Sequence, residues 1–310
     1  MQFFKETHID FVGNRYKFFG VSAFLVLLTV SAFLFKGPNY SIDFVGGIFI
    51  QISFQNEVPL QSVRSSLEKG GIISFELQNS ANIVMLRAKH ELKTQTQDEF
   101  VKNIQRILAA AFPNNHASVD RVEYVGPTVG AYLSKQAVYA FLFAFLGMII
   151  YVAFRFKSGL WGIASVLGII HDVLVSFGFV VLVGKEVDVT VIAALLTIAG
   201  YSINDTIVLF DRIRENLRIS VKESFYDIIN KSINAVLVRT AVTSITVFFV
   251  AISLFFLGGE VIHTFAYIML IGTVLGVFST IFLCTPLVYE WEISRNKRLN
   301  AALKQGIRPK

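Results

Sequence analysis

Residues 197–216 read TIAGYSINDTIVLFDRIREN. The stretch begins in a long apolar run and ends in a charged one. Asn204 and Asp205 come before the apolar run is over, because Thr206-Ile207-Val208-Leu209-Phe210 still follow. Only at Asp211-Arg212 does the chain turn to water-loving residues. On a membrane-crossing helix Asp205 then lies inside the bilayer rather than at its edge. A carboxylate there costs about 2.5–3.5 kcal/mol on insertion scales, so it faces a partner or a wet cavity and marks a functional site by default.

The composition agrees with a membrane setting. Of 310 residues, 54% are hydrophobic and 16% charged, with 30 phenylalanines. That is too apolar for one soluble core. Residues 18–35 are nearly all apolar and about long enough to span. No small-x-small cleavage pattern follows them, so they read as an uncleaved first span after a polar segment, 1–17. Five more spans follow at 138–154, 160–183, 187–210, 235–257 and 264–288. Residues 211–234 are charged but periodic (Ile213, Leu217, Val221, Phe225, Ile228, Ile229). That pattern predicts an amphipathic helix on the membrane surface. A basic tail, 291–310, closes the chain.

Between the first two spans, residues 37–133 are a different material, and no window in them could span. Ile42 to Phe54 reads as a strand, alternating in its second half. Residues 59–68 read as a helix started by Pro59 and ended by Gly70-Gly71. Residues 72–78 and 83–88 read as strands joined at 79–82. Residues 94–112 form an amphipathic helix with Phe100, Ile104, Ile107, Leu108 and Ala111 on one face, and 117–125 a last strand. The order β-α-β-β-α-β is the ferredoxin-like pattern. The chain is thus expected to be an α-helical polytopic membrane protein of six spans. It carries a small α+β ferredoxin-like (βαββαβ) domain at 37–133 and a five-helix bundle over 134–290. The long strand Ile42 to Phe54 is a candidate for pairing with another chain's edge.

The net charge of +6 follows the topology and does not signal nucleic acid. Lys5, Arg15, Lys17, Arg155, Lys157, the basic residues from Arg212 to Arg239, Arg295, Lys297, Arg298, Lys304, Arg308 and Lys310 fall on one side. The short loops opposite, 184–188 and 258–263, hold only Lys185, offset by Glu186, Asp188 and Glu260. The Lys/Arg bias puts both termini in the cytoplasm and 37–133 across the membrane. The single cysteine, Cys284, rules out an intrachain disulfide.

Asp205 is about 9 Å from the cytoplasmic boundary at 1.5 Å per residue. Arg239 has a similar depth on the next, antiparallel span, so acid and base are natural partners. Thr190, Ala194, Thr197, Tyr201 and Asp205 follow helical spacing. So do Arg239, Thr243, Thr246 and Ser253 on the fifth span, and Ser165, Gly168, Asp172 and Ser176 on the third. Three such stripes facing one another would make a narrow hydrated seam. Gly272, Gly276 and Thr280 give the last span a small-residue packing face. Burial and a neighbouring guanidinium pull a carboxyl's protonation in opposite directions, which suits a proton relay; a structural salt bridge fits the same residues. His171 and Asp172 are adjacent and point about 100° apart, so only one should face the seam fully. Tyr201, Ser202 and Asn204 read as water-binding neighbours or as helix glue.

GYSINDTIVLFDRIREN occurs together with IDFVGG after the first span, VGPTVG before the second, HD within the third and RTAVTS at the start of the fifth. In this order the motifs resemble the SecF side of the SecD/SecF family of protein-export membrane subunits, in the resistance-nodulation-division superfamily. The resemblance covers nearly the whole chain. It implies a bacterial inner-membrane protein that works with SecD beside the SecYEG channel and YajC, using the proton-motive force to draw unfolded polypeptide across. It also implies that Asp205 and Arg239 match the family's proton-path pair. The residues themselves add Asp172, His171, Asn204, Tyr201 and Thr243 as candidate relay or supporting groups. It implies no cofactor. Three rivals stand beside it: half of a proton-driven small-molecule or lipid exporter, an intramembrane aspartyl protease, and a passive scaffold. The protease lacks its Gly-x-Gly-Asp context at Asp205, and no phosphate loop is present.

Overall fold

The computed structural model describes residues 9–73, 75–88, 96–156, 159–220 and 222–304. It divides into two compact units, one built from residues up to Asn39 and from Tyr139 onward, the other from Tyr40–Val138. Helix α1 is Arg15–Phe35. Its buried residues are Ser22, Thr29 and Ala32, while Phe24, Leu27 and Leu34 are exposed. Small and polar side chains inside with bulky apolar ones outside is how helices pack in lipid.

In the second unit, Ile42–Val45 forms one helical turn, α2. It is followed by strand β1 (Gly47–Phe54), helix α3 (Leu60–Lys69), strands β2 (Phe75–Ser80) and β3 (Ile83–Ala88), helix α4 (Gln97–Ala111) and strand β4 (Ala117–Val125). The order is βαββαβ, and the sheet runs β2-β3-β1-β4 with every pair antiparallel. Ile48, Ile50, Ile52, Val84 and Leu86 face α3 and α4 in one core with Val63, Leu67, Phe100, Ile104 and Leu108. A capping box of Thr96 and Glu99 starts α4; the expected start at Thr94 lies outside the described residues, and Ala111 is exposed rather than on the buried face.

Two expectations for β1 are corrected. The strand starts at Gly47, not Ile42, because the Ser41 hydroxyl caps α2 by accepting from the Asp43 amide and Gly46 turns the chain at φ +73°. It is also a central strand, paired on both sides, so it offers no free edge to another chain.

Helix α5 (Pro127–Arg155) begins three turns earlier than the apolar run. Its first turn closes on the chain just before β1. A Cβ on Gly46 would lie 3.1 Å from the Pro127 Cα, and one on Gly130 would lie 3.0 Å from the Gly46 nitrogen. The two glycine motifs therefore face each other at backbone contact, which only glycine allows.

In the first unit, α6 (Gly159–Val183), α7 (Val189–Ile219), α8 (Phe225–Leu257), α9 (Gly259–Ser279), a π turn at Thr280–Cys284 and α10 (Thr285–Lys304) complete the bundle. Six helices are long and apolar enough to cross a membrane, the last being Ile262–Arg298 through the π turn. The expected surface helix at 211–234 is not a separate element. Residues 211–219 continue α7, the chain turns at 222–223, and the Ser224 hydroxyl caps α8 by accepting from the Asp227 amide at 3.1 Å. The periodic apolar residues are inside the protein: Ile213, Ile228 and Ile229 are buried, and Leu217 and Phe225 pack on them. Val221, Lys157, Lys5, Arg308 and Lys310 lie outside the described residues.

The segment before α1 is also docked. Phe11 and Val12 are buried in the bundle core. Their amides both donate to the Asn230 side-chain oxygen, at 3.0 and 3.1 Å, and the Asn230 amide donates to Asp10 at 2.9 Å. Arg15 pairs with Glu290 on α10.

Candidate functional site

Helix α7 places different chemistry on its different faces. Ala194, Ile198, Ser202 and Thr206 are buried, on the side that packs against α6 and α9. Tyr201 and Asp205 belong to the α8 side, where the Tyr201 hydroxyl donates to the Ser244 hydroxyl at 2.9 Å. Thr197, Gly200 and Asn204 are exposed. On α8, Arg239, Thr243, Thr246 and Ser253 are exposed too. Hydroxyls along this stripe turn back to their own helix: Thr243 donates to the Arg239 carbonyl at 3.1 Å.

Asp205 is 4% exposed, and its Oδ2 is buried without a hydrogen-bond partner among the described residues. The expected ion pair is not made: among the described residues no salt bridge joins Asp205 to Arg239. Arg239 is near enough for its charge to act on the carboxylate through space. The single hydrated seam is corrected accordingly. The α6 stripe is wholly buried, while the α8 stripe points out of the bundle, because the face of α8 that packs inward is Ile228, Ile229, Ser232, Ile233, Val236, Thr240 and Ser244.

A second cluster lies on the other side of α7. Asp172 is fully buried and His171 is 6% exposed. Ser202 on α7 and Ser279 at the end of α9 each donate to Asp172 Oδ2 at 2.6 Å. His171 Nδ1 is 2.9 Å from Asp172 Oδ1, and its Nε2 is 2.9 Å from the Ser22 hydroxyl of α1. Both residues are buried, each against different neighbours: Asp172 meets Ser202 and Ser279, and His171 meets Ser22 of α1. Helix α6 is packed by α1, α7 and α9 together, so directions 100° apart both end in protein.

Missing side chains make this convergence possible. A Cβ on Gly276 would sit 3.5 Å from Ser202, and one on Gly272 would collide with Ile198. On α6, a Cβ on Gly168 would collide with the Cys284 sulfur in the π turn. The widened turn is itself satisfied, since Thr285 donates to the Thr280 carbonyl at 2.8 Å and the Thr206 and Thr280 hydroxyls meet at 2.8 Å. Ser22, Ser279 and Thr206 were not singled out from sequence. Ser22 could have been noticed as a hydroxyl inside the first apolar run.

The fold and these intramembrane polar groups define a six-helix polytopic membrane protein with one extramembrane α+β unit. The family of the protein-export membrane proteins SecD/SecF, C-terminal, matches residues 104–294, and the SecD/SecF GG motif matches residues 31–58. The protein translocase subunit SecF of Endomicrobium trichonymphae is 65% identical over the whole of both chains. That of Escherichia coli O157:H7 is 33% identical over 96% of this chain and 92% of its own. The crystal structure of SecDF from Thermus thermophilus, a translocon-associated membrane protein, superposes with a TM-score of 0.84 at 33% identity. The match covers 93% of this chain and 39% of that one, so this chain spans about two fifths of that protein. The chain belongs to the SecD/SecF protein-export family, on its SecF side.

Proposed function

We propose that the protein works with a SecD-type partner in the Sec translocase of the bacterial inner membrane. There it uses the proton-motive force to help draw unfolded polypeptide across, beside SecYEG and YajC. Asp205 is the group that gains and loses the proton, and Arg239 sets its charge balance. Tyr201, Asn204 and Thr243 line its approach. Both termini are cytoplasmic and the βαββαβ unit is periplasmic, a reading supported by the Lys/Arg bias. The antiparallel β2-β3-β1-β4 sheet, with two helices on one face, supports its reading as ferredoxin-like.

One observation carries this reading: a buried carboxylate oxygen without a hydrogen-bond partner among the described residues, beside an arginine that is exposed. A guanidinium and five hydroxyl or amide side chains on the outer face of α7 and α8 are expensive against hydrocarbon. A partner helix with polar groups at the same depth would cover them and could complete the environment of Asp205. SecD is the partner whose chemistry and family association fit. The test is export into inverted membrane vesicles bearing the complex with Asp205→Asn, which keeps shape and removes titration. The expected result is at least a tenfold loss of the export stimulated by the proton-motive force, about 1.4 kcal/mol or more. Arg239→Lys, which keeps charge but not the planar fork, should lose part of it. Undiminished stimulation with Asp205→Asn would leave the pair a brace and no relay.

A further inference from the structure

We infer that the His171–Asp172 pair is a separate proton-binding site, and that α1 reads its state through Ser22. It does not depend on the role given to Asp205. The argument is a count of hydrogen bonds. Asp172 receives two hydroxyls on Oδ2 and the imidazole on Oδ1. An ionised carboxylate only accepts, so while Asp172 is ionised His171 Nδ1 carries a hydrogen. The remaining freedom is at Nε2, whose hydrogen-bond partner among the described residues is the Ser22 hydroxyl at 2.9 Å. A hydroxyl can donate or accept. With neutral His171, Ser22 donates to Nε2. When a proton adds to Nε2, the new N–H donates to the Ser22 oxygen, and the Ser22 hydrogen turns to its own helix. The Ser31 hydroxyl already donates in that way to the Leu27 carbonyl, at 2.8 Å. One proton is taken up, and no heavy atom has to move.

The surroundings fit such a site. Without the added proton the cluster holds one buried negative charge; with it, the imidazolium and carboxylate cancel. A lone charge out of water is costly, and the three donors around Asp172 offset part of that cost. The groups facing the pair are Ser22 from α1, Ser202 from α7, Ser279 and the Phe278 ring from α9, and the Cys284 thiol from the π turn. Thr285 at the start of α10 bonds back to the turn. Asp205 lies on α7 one turn beyond Ser202, on a different face. Among the described residues no ion pair enters the cluster from outside. The π turn is a second sign of function at this place, since such turns persist mainly at functional sites.

The consequence is mechanical. Helix α1 buries few residues, and Ser22 is its polar tie to the centre of α6. Proton uptake changes that tie from a neutral hydrogen bond to a charge-assisted one, about twice as strong. Protonation of α6 therefore tightens α1 against the bundle.

The experiment uses the full chain in lipid nanodiscs with ring-15N histidine. The chain has five histidines, and His171→Gln assigns the signal. We expect the ring-15N signals to show His171 as a neutral Nδ1–H form and, once a proton is bound, as an imidazolium with N–H at both positions. Ser22→Ala and Ser279→Ala should each change the balance between the two forms. Asp172→Asn should abolish the imidazolium; should that variant fail to fold, the two serine variants still decide. A His171 signal locked in one neutral tautomer throughout, or one that titrates identically in the wild type and both serine variants, overturns the inference.

Discussion

Asp172 and Asp205 are both carboxylates buried in the same helical bundle, yet their surroundings are opposites. Asp172 has hydrogen bonds to both oxygens from three different residues on α6, α7 and α9. Asp205 has a buried oxygen with none among the described residues, and Arg239 on the next helix is exposed. The first site is complete within this chain. The second is not, and a buried group left unsatisfied costs about 1–3 kcal/mol. A protein keeps such a group when something outside the chain, a partner or water, answers it during function.

The largest effect separates the two acids. Asp172→Asn turns an amide N–H2 toward donors and strands them, which should destabilise the solubilised protein by about 3 kcal/mol. Asp205→Asn should change the same thermal unfolding by less than about 1 kcal/mol, because few bonds are lost. Equal losses for the two variants would erase the contrast. A smaller effect tests how the closed site is held. Gly168→Ala drives a methyl into the Cys284 sulfur and should cost about 1–3 kcal/mol. Adding Cys284→Ala should recover part of it, a coupling that two independent sites would not show.

The smallest effect concerns the open side. Asn230, on the helix that carries Arg239, holds the amides of Phe11 and Val12. Asn230→Ala should cost about 1 kcal/mol and speed amide exchange at those two residues. The signals of the Ser22–His171 cluster should not move. The same strap should respond to acid. The Asp10 carboxyl is held below its ordinary value of 3.8 by the Tyr226 hydroxyl first and the Gly13 amide next. A carboxyl held low contributes stability above its unfolded value and loses it as pH falls through the lower folded one. Exchange at residues 11 and 12 should therefore quicken only below about pH 4, and Tyr226→Phe should raise that onset.

The sequence made the helices legible because apolar runs of spanning length have one reading. The small unit's element order was legible too, since its strands and helices differ in period. What sequence could not supply was direction around each axis. Arg239 was paired with Asp205 by depth alone, and depth was a sound guide, for their helices are neighbours. The side chain is nevertheless exposed, because α8 packs inward through Ile233, Val236, Thr240 and Ser244, and a polar stripe on a spanning helix does not say which neighbour it faces. The same blindness hid Ser22, a lone hydroxyl among phenylalanines and leucines whose partner is 149 residues away. At 211–234 an apolar stripe was read as lying on lipid. A stripe of that width fits a protein groove equally well, and here the groove won.

The π turn at Thr280–Cys284 fixes a count as well as a shape. A turn closed over five residues holds one more than an α-helix would use. Were the same residues wound as unbroken α-helix without that turn, everything downstream would rotate by about 100°. Val288 and Tyr289 would swing out of the core they fill, and Glu290 would leave Arg15. The wider turn at Thr280–Cys284 is therefore what keeps Val288, Tyr289 and Glu290 in place.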